Sequence, residues 1–312
     1  MPHPAQAPTE PQGSSPAKTL KGYGAAAGPG GHAASGPCGR RRWRGPARIA
    51  ALLIILLGII LGGGGCNSSQ TTGRPLCIAG STSVQPFAEK LAEIYMQRHP
   101  GARIDVQGGG SSAGIYAATH GAADLGASSR ELLGEERKLT EIPIAFDGIA
   151  VIVHPSNPLT NITLAEIRAI FSGAVNNWRA LGLPPHGIDL ITREEGSGTR
   201  EAFEHLVMGK QEITPAALVQ DSNGSVREIV AGDPHSLGYI SAGLVDHRVK
   251  ALAIDGVLPT RENIKTHAYK LVRRFLLVAR LAPAGSCQAF VDFVLGPNGQ
   301  KILESEGLVG VD

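Results

Sequence analysis

Arg193-Glu194-Glu195-Gly196-Ser197-Gly198-Thr199-Arg200 stands between two stretches of different periodicity. Before it, Asp189-Leu190-Ile191-Thr192 reads as a strand. After it, Glu201-Ala202-Phe203-Glu204-His205-Leu206-Val207-Met208 reads as a helix that stops at Gly209. A small-residue loop that closes a strand and opens a helix is a building unit of α/β architecture. The helix start leaves backbone N–H groups unpaired and carries a partial positive charge, so it suits an oxyanion. Ser197 and Thr199 add hydroxyl donors, and Arg193 adds a forked, permanently charged donor.

The same pattern occurs twice more. Gly80-Ser81-Thr82-Ser83 follows the strand-like Leu76-Cys77-Ile78-Ala79 and precedes an amphipathic helix. That helix carries Val84, Phe87, Ala88, Leu91, Ile94 and Tyr95 on one face, and Pro86 in its first turn needs no backbone donor. Gly108-Gly109-Gly110-Ser111-Ser112-Ala113-Gly114 lies between a strand over 103–107 and a helix over 112–120. Close behind, Asp124-Leu125-Gly126-Ala127-Ser128-Ser129-Arg130 supplies a hydroxyl and a guanidinium. One Ser/Gly loop is an ordinary helix cap. Several, each after a strand, point to a tetrahedral oxyanion held by the protein.

Strands and helices keep alternating to about residue 245, which predicts an α/β fold with mainly parallel sheet. The expected elements include a strand over 123–126, a short helix near 131–138 and a long apolar segment over 142–153 with a bend at Gly148. Thr163-Leu164-Ala165-Glu166 is a capping box opening a helix to Phe171. Helices over 199–208 and 226–231, strands over 237–240 and 250–254, an apolar strand over 270–279, and helices over 286–295 and 297–306 complete the expected set. The two long apolar segments are read as crossings between lobes. Lobe 1 is 75–147 plus 270–312 and lobe 2 is 148–269, with a ligand cleft between them.

The first 65 residues differ in kind. Residues 1–39 are rich in Pro, Gly, Ala and Ser and are expected to be a disordered leader. In 40–65, five arginines precede an apolar run over 49–61, too short for an ordinary membrane span and suited to a signal-peptide core. Basic stretch, apolar core, small residues and then Cys66 resemble a bacterial lipoprotein signal, although Gly63 stands where Leu is usual. Cleavage would leave Cys66 as the acylated (palmitate-bearing) first residue. An uncleaved anchor or plain secretion is the other reading, and each places the globular part outside the cytoplasm.

Residues 1–65 hold seven Lys/Arg against one Asp/Glu, and residues 66–312 hold 22 against 26. The net +2 therefore belongs to the leader, and a basic surface for nucleic acid is not indicated. Any anion must be bound by local donors. Cys38 and Cys66 precede the globular part, and Cys77 and Cys287 lie within it, either paired or as buried free thiols. No CxxC or HxxxH spacing supports a metal site, and no cofactor is expected.

Gly80-Ser81-Thr82-Ser83-Val84-Gln85-Pro86, Gln107-Gly108-Gly109-Gly110-Ser111, Gly126-Ala127-Ser128-Ser129-Arg130, Phe171-Ser172-Gly173 with Asn177-Trp178, Gly196-Ser197-Gly198-Thr199-Arg200, and Ser222-Asn223-Gly224 with Gly238-Tyr239-Ile240 occur in one order. As a set they resemble the phosphate-binding protein of the phosphate ABC transporter, over roughly residues 75 to 310. The resemblance implies a two-lobed periplasmic-binding-protein fold (type II). It also implies a monomer, ABC permease subunits as partners, and a lipid anchor to the membrane. Residue by residue, it implies phosphate contacts from Thr82, Ser83, Ser111, Ser129, Arg193, Ser197, Gly198 and Thr199, with Glu195 supporting the binding arginine. Longer members carry, at the place of Ser129, an Asp that accepts a proton from phosphate; Ser129-Arg130 stand here, as in a shorter subgroup. Phosphate near neutrality keeps a proton and sulfate keeps none, so a fixed acceptor separates them. Asp147, on the first crossing, is the expected replacement acceptor. A salt bridge to Arg130 or a hinge cap is the other role open to it.

Two further functions fit parts of the chain. Gly110-Ser111-Ser112-Ala113-Gly114 matches G-x-S-x-G between a strand and a helix, which would make Ser112 a hydrolase nucleophile. The same loops would also suit sulfate, molybdate or tungstate.

Overall fold

The computed structural model describes residues 74–311. The leader, the signal segment, Cys38 and Cys66 lie outside the described residues. In chain order the strands are β1 (Leu76–Gly80), β2 (Ile104–Gly108), β3 (Leu125–Ser128), β4 (Thr140–Val153), β5 (Asn161–Ile162), β6 (Asp189–Arg193), β7 (Leu218–Gln220), β8 (Ser236–Ser241), β9 (Lys250–Ala251), β10 (Ala253–Ile254) and β11 (Val272–Ala279). The helices are α1 (Gln85–Arg98), α2 (Ser111–Thr119), α3 (Leu164–Phe171), α4 (Gly198–Phe203, continued by a π-turn over Glu204–Met208), α5 (Asn223–Gly232), α6 (Arg261–Lys265), α7 (Gly285–Leu295) and α8 (Pro297–Ser305).

Strand β1 pairs in parallel with β2 and β3, as strand–helix–strand crossovers require. At the other end of the chain of strands, β6 pairs in parallel with β7 and β8. Two antiparallel strands join these sets, giving the order β2-β1-β3-β11-β4-β8-β6-β7. The first half of β4, Thr140 to Gly148, pairs with β11, and its second half, Ile149 to Val153, pairs with β8. A single strand thus belongs to both parts. The expected bend at Gly148 is a continuous strand. A Cβ there would lie 2.8 Å from Ile264 Cδ1, so glycine serves the close approach of α6.

The buried residues fall into two main clusters. One gathers Ile78, Phe87, Leu91, Ile144, Phe275, Phe290 and Leu303 among others. The other gathers Ile149, Val151, Phe171, Trp178, Phe203, Tyr239 and Leu271 among others. Ile144 and Ile149, on one strand, go to different cores. Trp178 is a packing residue whose indole N–H donates to His235 O at 3.0 Å. Thr163 caps α3 and Glu166 answers it, which satisfies two helix-start donors. Phe203 stacks on Tyr239 with centroids 4.1 Å apart, fixing the far end of α4 against β8.

The element bounds differ from expectation mostly at the ends. The region 250–254 is two short strands around buried Leu252, and β5, β7 and α6 were not expected, since two- to five-residue elements show no period.

Candidate anion-binding site

The loop after β1 is set by Gly80 at φ +138°, where a Cβ would meet Ala127 O at 2.3 Å. This close approach brings the loop beside the end of β3. Ser81 Oγ accepts from the N–H groups of Ser83 and Val84 and donates to Ser129 Oγ at 2.9 Å. Ser111, at the first position of α2, accepts from Ser129 N–H at 3.0 Å, and the two hydroxyl oxygens lie 3.4 Å apart. One side of the site is therefore a row of buried hydroxyls from three loops.

Arg193 ends β6 on the opposite side and is 1% exposed. Nε donates to Glu194 Oε2 at 2.9 Å and to Gln220 O at 3.2 Å. Nη2 donates to Glu194 Oε1, Thr82 Oγ1 and Asp221 O. Nη1 is buried with no hydrogen-bond partner. A charged donor left so costs about 1–3 kcal/mol or more, and an anion would remove that cost. Burial pushes Tyr239 up to about 12, so its phenol stays neutral, sharing a hydrogen bond with Thr192 and accepting from Arg193 N–H at the end of β6.

Ser197 caps α4 by accepting from Arg200 N–H, and Gly198 and Thr199 form the first turn. Thr199 Oγ1 meets Ser83 Oγ at 2.7 Å. A Cβ on Gly198 would stand 2.2 Å from Ser111 Oγ and 2.7 Å from Ser129 Oγ. The structure so brings Thr82, Ser83, Ser111, Ser129, Arg193, Gly198 and Thr199 into one cluster, with Ser197 just behind it as the cap.

Three supporting residues differ from expectation. The carboxylate that holds Arg193 is Glu194; Glu195 is exposed, because the turn at Gly196 (φ +83°) carries it outward. Asp147 does not pair with Arg130. It is fully buried and accepts from Arg273 Nε and Nη2 at 3.0 and 2.9 Å and from Ser241 Oγ at 2.9 Å. The register of β4 against β11 places Arg273 opposite it. With both oxygens engaged, Asp147 is not presented to the hydroxyl row as an acceptor. Burial pushes this carboxyl up and the Arg273 guanidinium down from their ordinary values, and their mutual attraction resists both. Arg130 instead binds Glu136, Glu201 Oε2 at 2.6 Å and Ser112 Oγ at 3.0 Å. Ser112 also donates to Glu201 Oε1 at 3.2 Å. These contacts tie the loop before β4 to α4.

Sequence reasoning missed Asn223 and Arg273 as site residues. Asn223 Nδ2 donates to Ser83 Oγ at 2.9 Å and Thr82 Oγ1 at 3.4 Å, while its Oδ1 accepts from Ser241 N–H. It opens α5, and the strand–loop–helix pattern marks that position. Arg273 Nη2 donates to Ser83 Oγ at 3.2 Å. A cavity of about 370 Å³ opens beside the cluster, lined by Arg130, Arg137, His205 and Arg273 among others. Among the described residues, no group of acidic, His and Cys side chains could hold a metal ion. Cys77 and Cys287 are free thiols.

Two cores, the strand β4 shared between them and a buried, donor-lined cleft define a two-lobed solute-binding protein. A model of the PBP superfamily domain matches residues 66–298. The phosphate-binding protein PstS of Bacillus subtilis (strain 168) is 32% identical over 245 residues, covering 76% of this chain and 80% of the relative. A substrate-binding protein assigned to a phosphate ABC transporter in Clostridium perfringens, solved with bound phosphate, is 40% identical. It superposes with a TM-score of 0.75 over 77% of this chain and 100% of that one. An ABC-type phosphate transport receptor from Vibrio cholerae is 37% identical, with a TM-score of 0.64 over 75% and 99% of the two chains. The chain belongs to the family of PstS phosphate-binding proteins within the PBP superfamily.

Proposed function

We propose that this protein captures inorganic phosphate outside the cytoplasm and hands it to an ABC permease. The observation that carries the reading is the orphaned, buried Nη1 of Arg193, on a guanidinium whose Nη2 reaches Thr82 in the hydroxyl cluster. Thr82, Ser83, Ser111, Ser129, Ser197, Thr199 and the N–H of Gly198 are the groups proposed to surround the anion, with Arg193 supplying charge. The starts of α2 and α5 add their dipoles. Lobe 1 is 75–147 with 270–312, and lobe 2 is 148–269; the two cores support that division apart from Leu271 and Val309, which pack in the second core. Ser83, Ser111, Arg193 and Thr199 are each at most 1% exposed, so ligand exchange requires the lobes to part.

The protein works by binding, without turnover. Ser112 bonds to Glu201 and Arg130, a tie across the cleft and not an activated nucleophile. It acts as a monomer held at the membrane by a lipid on Cys66, and the acidic balance of residues 66–312 gives nucleic acid no purchase. Calorimetric titration with phosphate, sulfate, molybdate and tungstate tests the reading. Tight binding of phosphate alone is expected. Preference for another oxyanion would replace it.

A further inference from the structure

Arginine and asparagine N–H groups can only donate, and a hydroxyl has two lone pairs and one proton. Ser83 Oγ accepts from Asn223 Nδ2 at 2.9 Å and from Arg273 Nη2 at 3.2 Å. Both lone pairs are filled, so its proton must be given away, and Thr199 Oγ1 at 2.7 Å receives it. The Thr199 proton is then free for the cleft. Thr82 Oγ1 accepts from Arg193 Nη2 at 3.1 Å and Asn223 Nδ2 at 3.4 Å, so it too can only donate onward. On the other side, Ser129 Oγ accepts from Ser81 and Ser111 Oγ accepts from Ser129 N–H; whichever hydroxyl donates across the 3.4 Å between them, the pair keeps one lone pair. The cleft has a wall of forced donors and, facing it, the Ser129–Ser111 pair that can accept.

We propose that Arg273, anchored by Asp147 on the facing crossing strand, is a positioning residue that works with Asn223 to lock Ser83 and Thr199 as donors, so that a bound phosphate turns its protonated oxygen toward the Ser129–Ser111 pair. This deepens the phosphate reading and rests on it. Arg273 acts through Ser83, and this separates it from a residue that merely holds the two strands together.

The test is a double-mutant cycle on the purified full chain, read by phosphate calorimetry and by thermal unfolding without ligand. Arg273→Lys keeps a cation for Asp147 but loses the planar fork that reaches Asp147 and Ser83 together. Arg273→Lys should weaken phosphate about tenfold, and Ser83→Ala by a similar factor. The double variant should be little worse than Ser83→Ala. Equal, independent losses that multiply would overturn the inference while leaving phosphate binding intact. Absence of phosphate binding by the unaltered protein would remove the reading and the inference together. If Arg273→Lys does not fold, Asn223→Ala in the same cycle carries the test: non-additivity with Ser83→Ala supports the relay, and additivity refutes it.

Discussion

Gly198→Ala should block closure of the cleft while leaving the separate lobes sound. Gly198 shows no left-handed φ, and it stands at the first position of α4, where alanine is an acceptable helix former. The difficulty is across the cleft. The new methyl would lie 2.2 Å from Ser111 Oγ, 2.7 Å from Ser129 Oγ and 2.9 Å from Ser111 Cβ, where ordinary contact begins at 3.4 Å. Ser111 Oγ could swing aside, but it would then drop the Ser129 N–H at 3.0 Å, an orphaned buried donor. The Ser111 Cβ cannot swing, so the lobes must stay roughly half an ångström further apart. That gap would stretch Ser83–Thr199 from 2.7 Å and Arg193–Thr82 from 3.1 Å toward the limit of hydrogen bonding. Overpacking of this kind costs about 1–3 kcal/mol, or roughly five- to 150-fold in affinity. Calorimetry should show the weakened phosphate binding, and the unfolding midpoint without ligand should stay near that of the parent, with a smaller rise on adding phosphate. Phosphate affinity equal to the parent would refute the placement of Gly198 at the closing surface.

Arg193→Lys should weaken phosphate by about tenfold or more, since an ammonium cannot serve Glu194, Thr82 and the anion at once; calorimetry reads it. Glu201→Gln removes the Arg130–Glu201 pair while Arg130 keeps Glu136, so stopped-flow should show phosphate leaving about two- to fivefold faster, within the range of partly exposed ion pairs. Burial pushes Cys287 up to about 11 and Cys77 upward as well, so the folded thiols keep their protons to higher pH than unfolded ones. Alkylation near pH 8.5, the ordinary thiol value, should therefore be slow in the native protein and fast after denaturation, with mass spectrometry locating both labels. Cys66→Ser should release the protein from membranes or stall its processing, as fractionation and intact mass would show.

The strand–loop–helix units at Gly80, Gly110 and Arg193 were legible because each is a local event. A strand ends, glycine makes the turn, and a helix opens, at Ser111 in the second unit and under the Ser197 cap in the third. The two crossings were legible for the same reason, as apolar runs too long for the strands around them. What escaped was pairing at a distance. Glu194 and Glu195 are neighbours of like chemistry, and only the path of the turn chooses between them. Asn223 opens a helix that the sequence marks, but β7 before it has only three residues, and nothing local says that its side chain reaches Ser83. Its contact with Ser83 spans 140 positions, and that of Arg273 spans 190. Yet a signal for Arg273 was present. Asp147 sits within an apolar strand buried on both faces, and a charge in that position requires a partner. The second crossing carries Arg273 and Arg274, and alternation sends one inward and one outward. Arg274 reaches the surface carboxylates Glu131 and Glu141, which leaves Arg273 for Asp147. Opposite charges on two adjacent crossing strands are a pair that strand alternation and the cost of buried charge could have joined without coordinates. The direction of the Ser83 proton could not have been read in that way, because it depends on two donors from distant elements meeting one oxygen.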